Sequence, residues 1–256
     1  MAKRSAMPLI LGAAAAALFL TRKKGSSADC SDVQADGGVV AGIRYREFRS
    51  PGLGPNDPAP MLVRFHGFGS MSGTLTSAGK SWAGSRTHGP VRVIVPESPR
   101  LTDPNKYFTW WYLQARSSDQ AELARQMAEA GAEMDQFLRQ IVQCRPTEGL
   151  PVVVGHSQGG SMGYLVATLS PGKIRGAVVA SGWLPRSLWS PNIAPLLATH
   201  GTQDATVPYG PTSEHWAMLE GVNAPFESKA YSQGHDATGS VASYMTKGVN
   251  RLFGYS

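Results

Sequence analysis

The chain has 256 residues, 42% of them hydrophobic and 16% charged, which gives length and apolar content for one domain with a substantial core and excludes a disordered chain. Its net charge of +6 is local: five of the 24 basic residues (Lys3, Arg4, Arg22, Lys23, Lys24) precede the first acid, Asp29, leaving 19 basic against 18 acidic residues beyond. The body of the chain is therefore nearly neutral, and no nucleic-acid-binding face is indicated.

Residues 7–20, MPLILGAAAAALFL, form an apolar run with bases on both sides. The run falls short of the roughly 20 residues of a membrane span. A helix apolar all round does not suit a soluble surface. TRKK directly after the run favours an uncleaved anchor, and small residues at Ser26 and Ala28 supply the alternative, a cleaved signal. The expectation is a protein held at a membrane by its N-terminus, or secreted or periplasmic if the segment is cleaved. Residues 1–28 then form the anchor or signal segment and its linker, and residues 29–256 the domain. Cys30 and Cys144 stand either as a bridge or as two thiols, in no metal or redox spacing.

Residues 25–38 read as a polar linker, 39–48 as a strand and 51–60 as a Pro/Gly loop. A strand over 61–65 ends in His66-Gly67-Phe68-Gly69. A helix is predicted over 76–85 and a buried strand over 91–95. Residues 96–117 are irregular and carry Tyr107, Phe108, Trp110, Trp111 and Tyr112. Leu123, Met127, Met134, Phe137, Leu138 and Ile141 have helical spacing within 118–142, opened by Ser118 and Asp119 as caps. After the apolar run 152–154 comes GHSQGG (155–160), then a helix over 161–169. Strands over 174–180, 196–200 and 226–231 alternate with helices over 212–219 and 241–252. This alternation argues an α/β fold with a mostly parallel sheet, helices on both faces, and a site at the carboxyl ends of the strands.

Strand, GHSQG and helix together fit a nucleophile elbow, G-x-S-x-G, with Ser157 at its apex. A serine needs a base, and the base needs an orienting acid. His235, in SQGHDATG after the last strand, is the candidate base. Asp204, in HGTQDATVP, is the candidate acid; Asp236, adjacent to the histidine, is awkwardly placed for that role. The order Ser157, Asp204, His235 is that of α/β-hydrolases. Oxyanion donors are expected at the backbone N–H groups of Gln158 and Phe68. Trp110, Trp111 and Trp183 read either as an apolar substrate pocket or as core.

HGFG, GHSQGG, SGWLP (181–185), HGTQDATVP and GHD together resemble the phospholipase/carboxylesterase family that includes acyl-protein thioesterases, from about residue 61 to the C-terminus. The resemblance implies a minimal α/β-hydrolase fold without a large cap and a triad at Ser157, Asp204 and His235. It places oxyanion donors at Phe68 and Gln158, and implies hydrolysis of carboxylic esters or thioesters with no cofactor and no metal. The hydrophobic N-terminus and the aromatic 96–117 stretch depart from the family. The reading is therefore a serine esterase acting on a small-molecule or lipid-like ester, with its oligomeric state open. A peptidase or polyester depolymerase on the same triad, or a non-catalytic binding protein on the same scaffold, are the alternatives.

Overall fold

The alternation of apolar runs and helical stretches resolves into nine strands and five α-helices among residues 28–102 and 107–255, the part of the chain that the computed structural model describes. β1 (Val33–Gln34), β2 (Gly37–Val40) and β3 (Ile43–Arg49) pair antiparallel. The single strand expected over 39–48 is broken at Ala41 and Gly42. Their φ angles of 51° and 75° make the two-residue turn whose twist matches a hairpin. The expected linker 25–38 is also corrected, since residues 33–38 enter the sheet through β1 and β2.

β4 (Met61–Phe65), β5 (Arg92–Pro96), β6 (Val152–His156), β7 (Gly176–Ala180), β8 (Leu196–Gly201) and β9 (Phe226–Tyr231) complete one sheet, in the order β1-β2-β3-β5-β4-β6-β7-β8-β9. Every pairing from β5 to β9 is parallel, and β3 joins β5 antiparallel. β5, β7 and β8 are buried at every position, as central strands covered on both faces must be, whereas the edge strand β9 alternates.

The strand period of two sends neighbouring side chains to opposite cores. Val63, Val153 and Val179 pack with Leu123, Phe137, Leu165 and Trp216 of α2 (Gln120–Cys144), α3 (Gln158–Leu169) and α4 (Tyr209–Gly221). Leu62, Val154 and Val178 face Leu75, Val241 and Met245 of α1 (Ser72–Ser81) and α5 (Gly239–Phe253). α1 begins four residues before the predicted start and runs on as a π-helical turn over Trp82–Arg86. The Arg46 guanidinium donates to Ser72 and Thr76 and fixes that polar first turn, a tertiary contact invisible to apolar periodicity. α2 is capped by the Asp119 carboxylate, which accepts the Glu122 N–H at 2.9 Å.

A charged residue interrupts the apolar run of β5. Arg92 is fully buried, its Nε 3.0 Å from Glu47 of β3; its Nη2 donates to the carbonyl oxygens of Pro55 and Asp57 and its Nη1 to that of Pro146. Arg145, just past α2, also donates to Glu47. Beside it, Cys30 and Cys144 form a disulfide, which settles the choice between bridge and thiols. Between β7 and β8 there is only a short 3-10 turn, Arg186–Leu188, and no large cap stands over the sheet among the described residues.

The expected location at a membrane, or outside the cell, is corrected. No helix among the described residues is long and apolar enough to cross a membrane, and the 7–20 segment on which the expectation rested lies outside them.

Candidate active site

β6 ends at His156 and α3 starts at Gln158, so Ser157 alone makes the turn, at φ 61° and ψ −125°. This backbone is strained for a non-glycine residue. It is held by the N–H of Ser157, which donates to the Ala180 carbonyl at 2.9 Å, and by the first turn of α3. The flanking glycines are sterically required. A Cβ on Gly155 would stand 2.1 Å from the Gly159 oxygen, and one on Gly159 would stand 2.4 Å from the Phe65 oxygen.

The loops after β8 and β9 bring two more side chains to this point. His235 Nε2 is 2.8 Å from Ser157 Oγ, and His235 Nδ1 is 2.6 Å from Asp204 Oδ2. The other Asp204 oxygen accepts the N–H groups of Thr206 at 2.9 Å and Val207 at 2.8 Å, which offsets the cost of burying a carboxylate. Asp236 is turned away and accepts from the Thr238 N–H and hydroxyl. His156 packs its ring 4.9 Å from that of His235. Burial, then the neighbouring His235, lower its pKa to about 4, so it is neutral at pH 7.

The backbone N–H of Gln158 opens α3 and has no carbonyl one turn back to receive it. Among the described residues, neither it nor the Phe68 N–H donates to a protein acceptor. Phe68 and Gln158 both line a cavity of about 200 Å³ that also contains Ser157 and His235. Its apolar wall is made by Trp111, Trp183, Leu123 and Met127. Trp110 does not line it, so its reading as a substrate-pocket residue is corrected. It is 1% exposed, stacked on His66 at 4.5 Å and set edge-on to Phe65, because its indole N–H donates inward to the His66 carbonyl at 2.9 Å.

Sequence reasoning missed the groups that hold the aromatic stretch over the serine. The Gln158 side chain accepts the Trp110 N–H at 3.0 Å and the Thr109 hydroxyl at 3.1 Å, and donates to the Trp111 carbonyl at 2.9 Å. His66 Nε2 accepts the Ser98 N–H at 3.2 Å while Nδ1 lies 2.9 Å from the Gly67 carbonyl; burial lowers its pKa to about 4. Ser161 accepts the Trp183 N–H at 2.9 Å. The only signal in the sequence was a polar residue at a position where a short, buried turn must satisfy every polar atom. Leu123 and Met127 could be read as helix core but not as cavity wall. Among the described residues no cluster of three His, Cys, Asp or Glu side chains is placed to hold a metal ion.

A family model described as phospholipase/carboxylesterase matches residues 54–248. A curated relative, acyl-protein thioesterase 1 of Neurospora crassa, is 25% identical over 166 residues, covering 58% of this chain and 68% of the relative. Among solved structures, esterase PE8 superposes with a TM-score of 0.67 at 18% identity, covering 82% of this chain and 99% of that one. Acyl-protein thioesterase 2 of Zea mays superposes with a TM-score of 0.62 at 21% identity, covering 82% and 98%. At such identities the structural likeness speaks for the fold.

Proposed function

The chain belongs to the phospholipase/carboxylesterase family of α/β-hydrolases, a family of ester and thioester hydrolases, and on that premise we propose that it is a serine hydrolase acting through Ser157, His235 and Asp204. The observation that carries the reading is the unbroken relay from Ser157 Oγ to His235 Nε2, 2.8 Å, and from His235 Nδ1 to Asp204 Oδ2, 2.6 Å. His235 takes the Ser157 proton as Oγ attacks the carbonyl carbon. The Gln158 and Phe68 N–H groups receive the oxyanion, and Asp204 stabilises the imidazolium. His235 then gives its proton to the departing alcohol or thiol, leaving an acyl-serine. Water, deprotonated by His235, attacks the acyl carbon; Ser157 regains the proton and the acid leaves.

A cavity of about 200 Å³ favours a short acyl group, since drug-sized ligands fill roughly 300–1,000 Å³. Trp111 and Trp183 form its apolar wall, and the rest of the substrate projects past Phe68, which is 48% exposed. Residues 29–256 constitute the hydrolase domain in this reading. Ser157→Ala should lower turnover of a short p-nitrophenyl ester by roughly 10⁶-fold and abolish fluorophosphonate labelling while leaving the unfolding transition in place. Retained turnover or labelling in that variant refutes the proposal.

A further inference from the structure

A second histidine touches the acid of the proposed triad. His200 lies on β8, one residue from its end, and is fully buried. Its Nε2 is 3.2 Å from Asp204 Oδ2, the same oxygen that faces His235 Nδ1, and 2.9 Å from the Val207 carbonyl oxygen. A carbonyl oxygen can only accept, and so can a carboxylate, so Nε2 carries the hydrogen, which is directed at the Val207 carbonyl and has the Asp204 oxygen as a longer second acceptor. Nδ1 is buried with no partner. A proton there would create a buried cation with an unpaired donor, and burial accordingly holds the His200 pKa below the usual imidazole value. His200 is thus a neutral donor of fixed tautomer.

We propose that His200 is a positioning residue for the hydrolysis, its Nε2–H holding the Asp204 carboxylate in place and sharing the oxygen that supports His235. The inference rests on the triad reading. It goes beyond it because two imidazoles compete for one carboxylate oxygen. A second donor on Oδ2 weakens the hold of that oxygen on the His235 proton, which keeps His235 ready to act as a base. The same N–H closes a small ring, since Val207 donates its own N–H to the other oxygen of Asp204. The acid, its loop and the strand end are thereby locked as one unit.

The ionisable and polar groups around this unit come from four elements. His156 of β6 packs against His235, and Arg64 of β4 and Asp236 of the His235 loop act on His156 electrostatically. Tyr209 and Trp216 of α4 pack against His200, with ring centroids 5.8 and 6.5 Å away. Of these side chains, only His200 and His235 reach the Asp204 carboxylate.

His200→Phe keeps the ring volume and removes the donor; His200→Gln returns an amide N–H near the place of Nε2. In the Phe variant the acid limb of the kcat/KM profile should move up by about one pH unit, the size of effect expected from one hydrogen bond to a charged group. The His235 Nδ1 proton resonance should move further downfield, and the Gln variant should return both toward the wild-type positions. A folded Phe variant with the wild-type limb and resonance overturns the proposal, as does a Gln variant that behaves like the Phe variant. Should the Phe variant fail to fold, the wild type decides: nitrogen NMR of His200 should show Nε2 protonated and Nδ1 bare from about pH 7 to about pH 8. A proton on Nδ1 in that range overturns the proposal. If the wild type hydrolyses no ester and takes no fluorophosphonate, the hydrolase reading fails, while the tautomer and the His235 resonance still test the role of His200.

Discussion

Truncating Gln158 to alanine tests whether its side chain, as distinct from its backbone N–H, builds the site. The residue is 6% exposed, and its amide makes three hydrogen bonds to residues 109–111. After truncation the Thr109 hydroxyl and the Trp111 carbonyl still bond each other. The Trp110 N–H is left without an acceptor in the interior, which costs about 1–3 kcal/mol, and the lost bond to the Trp111 carbonyl adds about 1 kcal/mol. The expected destabilisation is about 2–4 kcal/mol, or about 1–2 M in urea midpoint at a slope near 2 kcal/mol/M. The backbone donor at position 158 survives, so the loss in kcat/KM should come from a displaced Trp111 wall, be on the order of 10- to 100-fold and fall largely on KM. Gln158→Glu keeps the size but points an oxygen at the Trp111 carbonyl, and should be at least as damaging at neutral pH. Urea titration with tyrosine and tryptophan fluorescence, and ester kinetics on the same samples, provide the readings. An unchanged midpoint with unchanged kcat/KM refutes the reasoning. A loss in kcat alone would mean that the side chain supports the backbone N–H at position 158 itself.

Reducing the Cys30–Cys144 bridge, or replacing both cysteines by serine, frees a loop with a sequence separation of 114, for which chain entropy predicts a loss of up to about 4–5 kcal/mol. Activity at 25 °C should persist, because Cys144 ends α2 while Leu123 and Met127, near its start, line the cavity; a urea midpoint insensitive to reductant would contradict the expectation. His215 is stacked on Trp189 with a buried, unpartnered Nε2, and burial lowers its pKa from 6.5 to about 4. Between those values the unfolded chain binds a proton that the folded chain does not, so stability falls as pH drops from about 6.5 to about 4, by roughly 3 kcal/mol for this group. His215→Phe removes that dependence, and its stability advantage over the wild type should widen between pH 7.5 and pH 5. Parallel pH curves for the two proteins would rule the account out.

The elements bearing the site were legible because their signals are local. Apolar runs at 61–65, 91–95, 152–154 and 196–200 could be little else than buried strands. The Gly155-x-Ser157-x-Gly159 turn is also local: a Cβ at either glycine collides with the backbone, so the sequence at that corner is nearly dictated by its shape. The convergence of Asp204 and His235 on Ser157 could be read because each follows a strand end, and parallel strands deliver their ends to one edge of the sheet. Boundaries that depend on distant side chains were not legible. α1 starts early because Arg46, on a strand far away in sequence, binds its first turn.

The sequence by itself determined the fold class and the order of the strand-end motifs, since both follow from hydrophobic period and backbone sterics over a few residues. Tertiary structure decided everything that depends on which polar atom satisfies which. It placed Trp110 in the core and Trp111 on the cavity wall, although the two are neighbours of the same type. It turned Gln158 into the clamp of the aromatic stretch and set His200 and His235 on one oxygen of Asp204. Buried polar groups must find partners, and those partners lie tens of residues away along the chain.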